Sequence, residues 1–104
     1  MPMLRPDLTM LAFAATLAAI PALAGEGSSL ERMVIQDCGS CHGLTMNGGL
    51  GRPLTPHALQ HFDEAAIANI ILDGIPGTAM PKWRPLLNED QAMWMAHYLK
   101  SRTP

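Results

Sequence analysis

The chain has 104 residues, 48% of them hydrophobic, and a formal net charge of −2 at neutral pH, with no run of one sign. That balance excludes the basic footprint of a nucleic-acid binder and gives no strong steering field. A chain this short makes one domain, and apolar burial in such a domain barely exceeds the entropy lost on ordering, so a staple such as disulfides, a metal or a large cofactor is expected.

Arg5 precedes an apolar run from Leu8 to Ile20, which is too short to span a bilayer and is followed by Pro21 and Ala22-Leu23-Ala24. Small residues at 22 and 24 are what signal peptidase reads, so residues 1–24 are expected to form a secretory signal cleaved after Ala24, leaving 25–104 as the folded domain. The alternative is an uncleaved N-terminal anchor, with Asp7 weakening the positive flank. No later run is long enough to cross a membrane.

Ser28-Ser29-Leu30-Glu31 reads as a capping box, and Leu30, Met33 and Val34 follow at helical spacing, so a helix of about three turns should deliver Cys38 at its C-terminal end. There begins Cys38-Gly39-Ser40-Cys41-His42. Two thiols one helical turn apart can each add to a vinyl group on one edge of a porphyrin, and the next residue is then held beneath the iron without an entropic search. Cys38 and Cys41 are therefore expected to tether one haem c covalently, with His42 as the proximal iron ligand. Other chemistries fit less well. Structural zinc needs about four ligands and the chain has no second cysteine pair. A thioredoxin-type pair belongs in a βαβ context, whereas the spacing here is helical. A plain disulfide would leave His42 unexplained.

The glycine-rich stretch from Leu44 to Leu54 reads as a loop, and Gly48 to Gly51, like the later Gly74 to Gly77, could act as a hinge for helix exchange between chains. Within it, Gly51-Arg52-Pro53-Leu54 is placed to bring a backbone carbonyl to the second nitrogen of His42, as ligating imidazoles require. The Pro53 carbonyl is the candidate, the alternative being that Pro53 only shapes the loop. Thr55-Pro56 can start a short helix. Asp63 should cap a further helix carrying Ile67, Ile70 and Ile71 on one face and stopping at Gly74.

In the following loop, Gly74-Ile75-Pro76-Gly77-Thr78-Ala79-Met80-Pro81, breakers deny Met80 a helical face, and its thioether suits it to be the distal iron ligand. His57 or His61 is the bis-histidine alternative. Met33, Met93 and Met95 fall in helical segments and read as core filler, and His97 as an ordinary helix residue. Trp83 and Arg84 are candidates to meet a haem propionate, or else to pack and be solvated. Asn88-Glu89-Asp90-Gln91 repeats the cap signature before a last helix with Ala92, Met95, Ala96 and Leu99 in its apolar stripe. With no strand pattern, the expected architecture is all-α, three main helices and loops around one haem.

The order of C-x-x-C-H, Gly51-Arg52-Pro53-Leu54, Met80-Pro81 and Leu87-Asn88-Glu89 leading to Tyr98-Leu99 resembles the small class I cytochromes c over nearly all of residues 25–104. The resemblance implies the cytochrome c-like fold, the Pro53 carbonyl behind His42, Met80 as distal ligand and crossing terminal helices. The short interval from His42 to Met80 implies a trimmed loop and an exposed haem edge, around which Leu44, Leu50, Ile75, Pro76, Ala79 and Pro81 could dock a partner. Cys38 to Thr45, Gly48 to Gly51, Leu72 to Pro81 and Trp83-Arg84-Pro85-Leu86 are also similar to the NirC-type cytochromes of denitrification gene clusters. That similarity implies a periplasmic one-electron carrier, not an enzyme, serving the haem c and haem d nitrite reductase. The alternatives are an accessory in maturation of its special haem d, or an open-site haem sensor or enzyme.

Overall fold

The computed structural model describes residues 22–103, so nearly all of the expected signal segment lies outside the described residues. Helix α1 (Ala22–Met33) runs without a break into a π-helical turn (Val34–Cys38) and a short helix α2 (Gly39–His42), and α3 (Glu64–Asp73) and α4 (Glu89–Ser101) follow after loops. No strand occurs among the described residues. The all-α expectation, with three principal helices, therefore matches the fold.

The start of α1 differs from the expectation. Ser28 to Glu31 lie inside the helix, because Ala22-Leu23-Ala24 are strong helix formers that extend it upstream. Ser29 Oγ donates to the Gly25 carbonyl at 3.1 Å, the back-bond of a mid-helix serine rather than a cap. At the other end, the Gly39 N–H reaches the Val34 carbonyl five residues back, which makes the π turn.

The other helix boundaries follow their local signals. Asp63 Oδ1 accepts from the Ala66 N–H at 2.7 Å to cap α3, and Gly74 ends it at φ 65°, its N–H donating to the Ile70 carbonyl. Asn88 and Gln91 form a reciprocal capping box at 2.8 and 2.9 Å. The short helix expected from Thr55 is instead a run of turns. Thr55 Oγ1 does accept from the Ala58 N–H, but the i+4 bond from Leu59 to Thr55 is followed by i+3 bonds to His57 and Leu59.

The core is one cluster in which Leu30 and Val34 of the first helix meet Ala92, Met95, Ala96 and Leu99 of α4 and Ile67, Ala68, Ile71 and Leu72 of α3. The terminal helices are further joined by Gln91 Nε2 donating to Glu26 Oε1 and Tyr98 Oη to Glu31 Oε1. Gly27 lies under the Trp94 indole, which stacks on Tyr98. Burial and then the Glu31 carboxylate hold the Tyr98 phenol above its usual range. As expected, Met95 is core filler, and Met33 packs partly against the core, but Met93 is exposed. Helices α3 and α4 are bridged by His97 Nδ1 and Glu64 Oε1 at 2.7 Å.

The chain beyond Met80 is tied back to α3. The Trp83 and Arg84 N–H groups donate to the Ile71 and Leu72 carbonyls, and the Arg84 guanidinium grips both oxygens of Asp73 at 2.8 Å. Arg84 is therefore engaged in an ion pair with Asp73. The Arg84 hydrogen bond holds the Asp73 carboxyl below its ordinary 3.8. A carboxyl depressed in the folded state contributes stability above its unfolded pKa and loses it as pH falls through the folded one. Arg84→Met should therefore lower the denaturant midpoint near neutrality, and the gap from wild type should close as pH is taken below about 4. A gap that persists in acid would show that the pair is not its source.

Candidate functional site

Cys38 and Cys41 are free thiols, the first partly buried and the second exposed. Both face one cavity of about 640 Å³, within the size range of cofactor pockets. His42 and Met80 line the same cavity. Its remaining wall is largely apolar, drawn from Leu54, Leu59 and Phe62 before α3, Ile67, Ile70 and Ile71 on α3, and Trp83 and Leu99. His57 and His61 are exposed and lie outside this lining, so the structure does not bring the bis-histidine candidates to the site. Burial, and then the neighbouring Asp37 carboxylate, push the Cys38 thiol up to about 11.

The end of α2 is held by a collar of loop backbone. Helix C-termini leave carbonyls unpaired, and here the Gly51 N–H donates to Cys41 at 2.7 Å and the Gly48 N–H to His42 at 2.8 Å. The collar closes with Leu54 N–H on the Met46 carbonyl. Met46 is fully buried at φ 62°, a left-handed conformation unusual for a non-glycine residue, and its burial anchors the loop. The loop sequence had shown no role for it. Gly48–Gly51 is thus tied by its backbone hydrogen bonds to the end of α2.

His42 Nδ1 lies 2.7 Å from the carbonyl of Arg52. A carbonyl only accepts, so Nδ1 carries a proton, and in the neutral ring Nε2 is then the nitrogen whose lone pair is open to a metal. The Pro53 carbonyl, expected in this role, is displaced by one residue. Pro53 acts on the residue before it, which a proline drives into extended conformation, and its own ring packs at Gly48. Gly51 is equally constrained, since a Cβ there would stand 2.7 Å from both Cε1 and Nδ1 of His42. Gly51→Ala should displace the imidazole and destabilise the protein by about 1–3 kcal/mol, read as a lower melting temperature of the loaded protein. A melt matching wild type would mean the ring is free to move.

On the other side of the cavity mouth, the loop from Gly74 to Pro81 is shaped by Gly77 at φ 77° and by Thr78, whose N–H and Oγ1 both donate to the Ile75 carbonyl. Thr78 Oγ1 then accepts from the Met80 N–H at 3.3 Å. Gly74 is required, because a Cβ would lie 2.6 Å from the Met80 carbonyl. Of the apolar residues expected at the edge, Leu50, Ile75, Ala79 and Pro81 border the cavity, while Leu44 and Pro76 do not. Leu50, at the tip of the collar, is 97% exposed.

The residues present fit a haem: paired thiols not consumed in a disulfide, a histidine in the ligating tautomer, a methionine and a large apolar cavity are brought together. The class these features define is the c-type cytochrome, and residues 25–99 match the family model described as "Cytochrome C oxidase, cbb3-type, subunit III". The chain is 54% identical over 97 residues to Cytochrome c55X of Paracoccus denitrificans (strain Pd 1222), covering 93% of this chain and 94% of that one. The solved structure of the c-type cytochrome NirC superposes with a TM-score of 0.72 at 43% identity, over 74% of this chain and 91% of that chain. The chain belongs to this family of small NirC-like c-type cytochromes, which are electron carriers. The dihydro-heme d1 dehydrogenase NirN, in complex with DHE, also matches, with a TM-score of 0.65 at 33% identity, over 76% of this chain but only 16% of that much longer one.

Proposed function

We propose that the chain is an exported, periplasmic monohaem carrier, with Cys38 and Cys41 as the thioether tethers, His42 and Met80 as axial ligands, and the nitrite reductase of denitrification as its partner. The observation that carries this reading is the Arg52 carbonyl on His42 Nδ1, which leaves Nε2 as the metal-binding atom in a cavity that Met80 also lines. Bound there, the haem supplies a one-electron ferrous–ferric couple. The chain's own residues set the conditions. Arg52 fixes the imidazole and strengthens it as a donor. Met80, in place of a second imidazole, raises the potential. The α3 isoleucines and Phe62 exclude water from the ring, and Leu50 and Ile75 form an apolar lip where a partner can approach.

The test is to mix reduced loaded protein with purified nitrite reductase and nitrite and to follow the ferrous absorption bands. Rapid reoxidation supports donation; reoxidation no faster than with nitrite alone removes it. The likeness to NirN favours a second reading, in which the chain accepts electrons during maturation of the special haem d. Reduction of the ferric protein by such a dehydrogenase and its substrate, with no reoxidation by the reductase, would favour that role.

A further inference from the structure

Arg52 is the one permanently cationic residue among those lining the cavity. Its guanidinium carbon lies 5.4 Å from the centroid of Phe62, another lining residue, so the stack holds the charge along that wall. Among the described residues no carboxylate pairs with it, whereas Arg84 is engaged by Asp73. Most of the remaining wall is apolar, with Asp37 its only carboxylate, and a carboxylate brought against such a wall needs a partner to offset its lost hydration. A haem brings carboxylates of this kind, its propionates.

We propose that Arg52 positions the haem at two points: its carbonyl orients His42, and its guanidinium, steadied on Phe62, pairs with a propionate. The inference rests on the haem reading of the cavity. The ion pair offsets negative charge that would otherwise stabilise ferric iron, so Arg52 raises the reduction potential.

The test compares midpoint potentials of the loaded wild type, R52Q, R52K and F62L by spectroelectrochemistry at low and high salt. R52Q should lower the ferrous-to-ferric ratio at a fixed ambient potential by about tenfold, equivalent to about 59 mV for a one-electron couple. R52K should retain most of the wild-type value, and F62L should fall between, since it releases the guanidinium without removing its charge. Added salt should narrow these differences. The His42 hydrogen bond uses the backbone, so the ligand-field spectrum should stay the same in all four. R52Q at the wild-type potential in low salt, or R52K falling as far as R52Q, overturns the proposal. Should R52Q accumulate no loaded protein, F62L decides, and a wild-type potential there overturns it. A wild-type chain without thioether-bound haem overturns both this inference and the proposed function; a loaded wild type with an indifferent R52Q overturns this inference alone.

Discussion

Met80→Ala should open the iron, abolish the methionine-to-iron charge-transfer absorption of the ferric protein and allow the ferrous form to bind carbon monoxide readily. The potential should fall by a sizeable fraction of the roughly 0.8 V over which axial ligands set haem potentials. The change should stay local. Met80 sits in a loop whose shape comes from Gly74, Gly77 and the Thr78 hydrogen bonds, none of which uses the methionine side chain. The helices should therefore melt nearly as in wild type. If the wild type itself lacks the absorption and binds carbon monoxide, Met80 is not the ligand and an open-site sensor or enzyme becomes the better reading.

Replacing both Cys38 and Cys41 with serine should have the larger structural effect. The cavity of about 640 Å³ lies against the core, walled by α3, the π turn and α2, the loops, and Leu99 of α4. Without haem its largely apolar wall would stand open to water, and a domain has only about 5–15 kcal/mol of stability to set against that exposure. The double variant should lose its cooperative melt and its near-ultraviolet circular dichroism when prepared without haem. A cooperative transition in the haem-free variant would show that the helices close over the space unaided.

These two expectations depend on features of unequal legibility in the sequence. That Cys38, Cys41 and His42 share one cavity was readable from their local spacing, and the caps at Asp63 and Asn88 because their hydrogen bonds span only three residues. Met80 was readable as a cavity residue because the breakers around it gave it no helical face to join. The acceptor behind His42 was missed by one residue, because which carbonyl faces the ring depends on the path of the whole collar, including the burial of Met46. Arg84 gave no sign of its partner, because Asp73 lies at the end of α3, eleven residues away, and only the fold of the intervening loop brings the two together. The serines at 28 and 29 carry a cap pattern, but a pattern caps only where the helix stops, and the upstream alanines keep it going.

The π turn at Val34–Cys38 carried no signal in the sequence, yet it separates two demands on one continuous rod. Leu30 and Val34 are claimed by the core, Cys38 and Cys41 by the cavity, and a regular helix would lock these two sets at a fixed angle of about 100° per residue. The surplus residue works as a gearing offset between them. Loss of a single residue from this turn would rotate Cys38 and Cys41 by about 100° relative to Leu30 and Val34 and force the chain to give up one alignment or the other.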